Sequence, residues 1–104
     1  MLKPPPHLRA PGRKFYESVA DEYGINDAAG VGLLLRAAEC VDRLDAAHKA
    51  IEEHGELVMD RYGAPKLNPA CALEKDARSG FLSALKALNL DLEPLRDGPG
   101  RPTT

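Results

Sequence analysis

Apolar residues fall along this chain in three helix-spaced runs, interrupted once by a short run spaced for a strand. In the first, Phe15, Val19 and Tyr23 recur every four residues with Tyr16 and Ala20 beside them, while Glu17, Asp21 and Glu22 take the opposite side. That period predicts an amphipathic helix from Gly12 to about Tyr23. Gly24 is placed to close it in a left-handed turn, and Ile25 to tuck into the core. In the second run Leu34, Val41 and His48 lie seven apart, as do Ala37, Leu44 and Ile51. Such a heptad-like seam packs a helix on another helix of the same chain or of another copy. The helix predicted here spans Ala28 to His54, is capped by Asn26 or Asp27, and is about 40 Å long at the standard rise. Gly30 and Gly32 leave room in its first turns for another backbone. His48 is the polar member of the seam and is read as a packed, hydrogen-bonded core residue. In the third run Leu73, Ala77, Phe81, Ala84 and Leu88 form one stripe widened by Leu85, which predicts a helix from Pro69 to about Asn89. Gly80 again permits a close crossing, and Leu90 and Leu92 are expected to fold back on the end of the bundle.

The two long helical patterns are joined by Gly55-Glu56-Leu57-Val58-Met59-Asp60-Arg61-Tyr62-Gly63-Ala64-Pro65-Lys66-Leu67-Asn68-Pro69. Gly55 follows His54 and can take the left-handed conformation that closes the preceding helix. Leu57, Val58 and Met59 are apolar enough for a short strand, and Tyr62-Gly63 is turn chemistry. Pro65 lacks a donor and confines the second arm to an edge or a loop. Asn68 is a good N-cap, and Pro69 is preorganised for the first helical position. The prediction is a mainly α fold, with a short N-terminal helix, two long antiparallel helices joined by a small β-hairpin, and flexible Pro-rich ends. Residues 1–11 read as an extended basic arm, because Pro4-Pro5-Pro6 and Pro11 oppose a helix. Residues 12–92 read as the single helical domain. Residues 93–104, with Asp97-Gly98-Pro99-Gly100, read as a tail without the means to bury surface.

Composition adds two points. The chain has 104 residues, no Trp, two Phe and three Tyr. Its core must therefore be built from Leu, Val and Ala, and a foldable part of about 80 residues is close to the size at which a lone core is marginal. Association between copies is expected. The net charge is −2, yet residues 1–16 carry Lys3, Arg9, Arg13 and Lys14 with no acid. The arm is thus either a basic tail or a strap for a neighbouring subunit or a phosphate backbone. Arg61 and Lys66, flanking the hairpin turn, are a second candidate set beside the reading of ordinary solvated charges. Cys40 and Cys71 read as reduced, small buried hydrophobes. No apolar run reaches the roughly 18 residues of a membrane span, and no secretory leader is expected.

No constellation of catalytic residues is legible. His-Glu-x-x-His, Cys-x-x-Cys, Gly-x-Ser-x-Gly and phosphate-loop patterns are absent. Glu52 and Glu53 are neighbours on a helix and point about 100° apart, so they do not converge on a substrate. Cys40, His48 and Cys71 match no common zinc spacing, and His54 at a helix C-terminus is explained by the dipole. Neither a cofactor nor a metal is expected.

A helix ending in Gly55, the arm Leu57-Val58-Met59 and then Tyr62-Gly63-Ala64-Pro65-Lys66-Leu67-Asn68-Pro69 resembles the middle of phage terminase small subunits. The closing Leu88-Asn89-Leu90 and Pro94-Leu95-Arg96, and the Pro-rich arm before Phe15-Tyr16, are similar to that family's ends, so the likeness spans about residues 4–96. The resemblance implies a non-enzymatic, ring-forming component of viral genome packaging in the host bacterial cytoplasm. Such a protein recognises double-stranded viral DNA at the packaging site and delivers it to the large subunit, which holds the ATPase and nuclease. Lys3, Arg9, Arg13 and Lys14, with Arg61 and Lys66 second, are the expected phosphate contacts. A helical scaffold or regulatory module that touches no nucleic acid is the competing reading, and the acidic average charge favours it.

Overall fold

The computed structural model describes residues 3–90. Three helices, α1 (Ala10–Tyr23), α2 (Ala28–His54) and α3 (Pro69–Leu88), enclose a two-stranded antiparallel hairpin of β1 (Leu57–Met59) and β2 (Pro65–Leu67) between the second and third. The mainly helical architecture with its inserted hairpin is the one the hydrophobic pattern predicts. Leu92 and the tail from 93 onward lie outside the described residues.

α2 is the central element, packed against both α3 and α1. The long-helix packing is therefore made within one chain. The buried surfaces of α2 and α3 are, however, smaller than the leucine seam suggests. Leu34 and Ala37 are fully buried, whereas Val41, Leu44 and Ile51 are only half-buried and His48 is exposed. The buried positions are instead mostly small: Ala37, Cys40 and Ala47 on α2, with Ala38 turned to α1, and Ala70, Ala77 and Ala84 on α3. Small side chains let the helices approach closely: a Cβ on Gly80 would lie 3.1 Å from Cys40 Sγ. Phe81, Leu85 and Leu88 flank this stripe half-buried. Phe81 meets Phe15 of α1 edge-on, with ring centroids 5.4 Å apart. Gly30 and Gly32 serve no helix crossing. Gly30 faces its own cap, Asp27, and nothing stands within 4 Å of Gly32.

The main cluster sits under α1, where Leu8, Tyr16, Ala20, Ile25, Leu34 and Ala38 are buried and Leu88 and Leu90 close the end. The arm is not an independent segment. α1 begins at Ala10, with Pro11 accepted in the first turn, where a missing N–H costs nothing. Ahead of it Leu8 is 2% exposed. Pro11 thus starts the helix rather than forbidding it.

Gly55 stops α2 with its N–H donating to Ile51 O at 2.6 Å and a backbone at φ 84°, ψ 169°. This is an extended conformation at positive φ rather than the left-handed turn expected, and it is essentially reserved for glycine. Gly55→Ala is expected to lower the unfolding free energy by on the order of 2 kcal/mol, read as a shift in the urea midpoint at unchanged slope. Within the hairpin, Leu57 pairs with Leu67, Val58 with Lys66 and Met59 with Pro65. The turn is organised by Asp60, whose Oδ1 accepts from the N–H groups of Tyr62 (2.8 Å) and Ala64 (2.9 Å), with Gly63 at φ 81°.

Candidate nucleic-acid interface

The basic arm is positioned by α2. Arg9 stands at the N-cap of α1 but has no oxygen with which to cap it. The orphan donors of that first turn are taken by a residue from another helix. Asp42 accepts from Arg9 N–H through Oδ2 at 2.8 Å and from Gly12 N–H through Oδ1 at 2.7 Å. A carboxylate there also suits the positive end of the helix dipole. Close contact enforces the glycine, since a Cβ on Gly12 would lie 2.7 Å from Ala38 O and 2.6 Å from Asp42 Oδ2. Upstream, His7 Nε2 lies 2.9 Å from Glu39 Oε2; ionised Glu39 can only accept, so the imidazole donates. Arg13 Nη2 donates to Leu8 O at 2.8 Å. The strap lies on its own chain, held by Glu39, Asp42 and Arg13.

These contacts sort the expected phosphate-binding residues. Arg13 is already committed to the backbone of the arm. The side chains of Lys3, Arg9 and Lys14 are exposed and form no ion pair among the described residues. Arg9 borders an open hollow of about 240 Å³ together with His7, Glu39, Asp42, Arg43, Ala46 and Leu73. Arg43 is equally exposed and unpaired among the described residues. Sequence reading passed over Asp42 and Arg43. The signal for the first was available, because a helix opening on Arg9 without a capping side chain must draw its acceptor from elsewhere.

Arg61 and Lys66 belong to a different place. The first turn of α1 meets α2 at Asp42, and the hairpin follows His54, twelve residues or about 18 Å further along the helix. Arg61 lies 5.5 Å over the Tyr62 ring, and Lys66 stands opposite Val58, both exposed. The two basic sets thus lie on different elements.

His48 is hydrogen-bonded, as expected, but is not a core residue. Its side chain is 58% exposed and its Nε2 lies 2.9 Å from Glu74 Oε2, tying α2 to α3. Arg78 Nη2 reaches the same oxygen at 2.8 Å. The hydrogen bond from His48 comes first among the influences that hold the Glu74 carboxyl below its ordinary value of 4.5, helped by Arg78 and opposed by partial burial. A depressed carboxylate contributes stability that is present above its unfolded pKa and is lost as pH falls through the folded one. Glu74→Gln should therefore melt below the parent protein near neutrality, with the gap closing as pH drops under 4.5. Melting curves of both proteins across pH 3–7 check the sign. A gap that widened in acid would contradict it.

Among the described residues no group of His, Cys, Asp and Glu is arranged to hold a metal ion, and no helix is long and apolar enough to cross a membrane. Cys40 is buried and Cys71 half-buried, both free. No protein-family model, curated protein or solved structure matches this chain.

Proposed function

We propose that this chain is a non-catalytic adaptor of the phage terminase small-subunit type. It assembles into a homo-oligomeric ring in the host bacterial cytoplasm, recognises double-stranded viral DNA at the packaging site and delivers it to the terminase large subunit. The observation that carries the reading is the helix–hairpin–helix frame. The positions on which the resemblance rests are also the ones with local structural work: Gly55 stops α2, Gly63 takes the positive φ of the turn, and Asn68-Pro69 opens α3. The exposed cations Lys3, Arg9 and Lys14 supply the electrostatic contact, multiplied by the copies in a ring.

Fluorescence anisotropy of a labelled DNA duplex tests this. A triple variant of Lys3, Arg9 and Lys14 to Ala is expected to bind more weakly. Its plot of log affinity against log salt should be flatter by about 1 for each phosphate contact removed. Arg13 is left in place, since it holds Leu8. Unchanged affinity and slope would sink the arm as the contact. The scaffold reading, in which the chain touches no nucleic acid, is favoured by the proximity of Glu39 and Asp42 to the arm. It predicts passage through a heparin column at low salt, whereas the adaptor is retained.

A further inference from the structure

The hairpin presents an apolar face that is left uncovered among the described residues. Leu57 and Met59 are 64% and 65% exposed, and Leu67 and Pro65 opposite them share that face and are exposed too. The two edges of the hairpin differ. Asp60 N–H donates to Ala64 O and Asn68 N–H to Glu56 O, which identifies these as hydrogen-bonded pairs. By the alternation of an antiparallel ladder, Val58 and Lys66 form the pair between them, and Leu57–Leu67 and Met59–Pro65 are non-bonded pairs. The N–H and C=O of Leu57 and Met59 therefore point away from β2, as unused donors and acceptors along the outer edge of β1. On the outer edge of β2, Pro65 replaces a donor with a ring. One edge can accept a strand and the other is blunted.

We propose that the outer edge of β1 is a docking strand for an extended segment of a partner protein, apolar at two alternate positions and basic at either end. Charge decides the occupant. Glu56 and Asp60 flank the edge, one at each end of Leu57-Val58-Met59. Antiparallel pairing of β1 with β1 of a second copy, about Val58, would set Glu56 against Asp60 twice, and like charges directly opposite each other destabilise a strand pair. Pairing of β1 with β2 of a second copy would meet Pro65 and lose a hydrogen bond. A foreign strand with Lys or Arg opposite Glu56 and Asp60 meets neither obstacle, and its alternate apolar side chains extend the face of Leu57, Met59 and Leu67. Backbone pairing supplies affinity in this mode and flanking side chains supply selection. This segment is a protein contact, separate from the phosphate contacts of the arm.

The full chain labelled with ¹⁵N is titrated with the blocked pentapeptide Lys-Val-Thr-Ile-Lys, and in parallel with Glu-Val-Thr-Ile-Glu. The amide resonances of Leu57 and Met59 are expected to move downfield and to become slower in solvent exchange with the first peptide. The second should bind about tenfold more weakly, from two reversed cross-strand charge pairs. Glu56→Lys should weaken the lysine peptide about fivefold while leaving the rest of the spectrum, and hence the fold, unchanged. Absence of movement at Leu57 and Met59, or an equal response to both peptides, overturns the proposal. Movement of the same amides with protein concentration alone overturns it in favour of a second copy on the edge.

Discussion

Asp42→Ala should release the N-terminal segment from the rest of the molecule and lower the unfolding free energy by about 3 kcal/mol, because charge-assisted hydrogen bonds contribute about 1.5–3 kcal/mol each. The carboxylate accepts from two N–H groups that have no other acceptor, those of Arg9 and Gly12, and does so from another helix. Leu8 and Tyr16 are buried behind that contact, so a frayed first turn also exposes apolar surface. Asp42→Asn separates the two contributions. Its amide keeps one acceptor and turns a donor toward the second N–H, and about half of the loss is expected. Chemical denaturation gives the free energies, and hydrogen exchange shows where they arise. Protection should fall at the first turn of α1 and persist in the middle of α3. Equal losses throughout the chain would mean that Asp42 acts on the whole core rather than on the cap.

Asn68→Asp should be as damaging, although aspartate is as good an N-cap as asparagine in most helices. Asn68 is buried and uses both ends of its amide. Oδ1 accepts from Ala70 N–H at 3.0 Å, while Nδ2 donates to Gly55 O at 2.9 Å and, at 3.5 Å, to Ala50 O. Its own N–H donates to Glu56 O at 2.7 Å. One side chain thus caps α3, binds the last carbonyls of α2 and fixes the exit of the hairpin. A carboxylate would keep the cap and turn its second oxygen on two carbonyl oxygens in a buried site. Loss of the donor and the new repulsion together should cost about 3–4 kcal/mol, with Asn68→Ala somewhat milder at about 2–3 kcal/mol. Urea denaturation of the two variants checks the order. If Asp proved better than Ala, capping of α3 alone would account for the residue.

The Asn68-Pro69 junction was legible in the sequence because an N-cap is a local matter, decided within a few residues. So were Gly24 and Gly55 as helix stops and the short apolar arm before Tyr62-Gly63. The second half of Asn68's role was not legible, since it joins residues that only the hairpin's closure brings together. Distance along the chain likewise hid Asp42, which lies 33 residues from Arg9. A proline-rich beginning suggests an arm, but three contacts to α2 and α1 make it part of the core. The heptad seam gave the right helix and an incomplete face. Large apolar residues mark the period, whereas the closest packing is made by alanines and by Gly80, whose small size carries no hydrophobic signal of its own. His48 followed the seam's period and left its core, because at that level it reaches out to Glu74, which Arg78 also holds from within α3. Among the site residues, Lys3, Arg9 and Lys14 are exposed. The engagement of Arg13 and the separation of Arg61 and Lys66 from the arm depend on tertiary geometry.

Ring assembly is the property on which the adaptor reading depends, since a single copy offers few cations and a net charge of −2. Light scattering coupled to size exclusion, on the full chain alone and with duplex DNA, measures it directly. A particle many times the 11.2 kDa of one chain is expected, alone or on the duplex. A species that stays at 11.2 kDa in both conditions would contradict it.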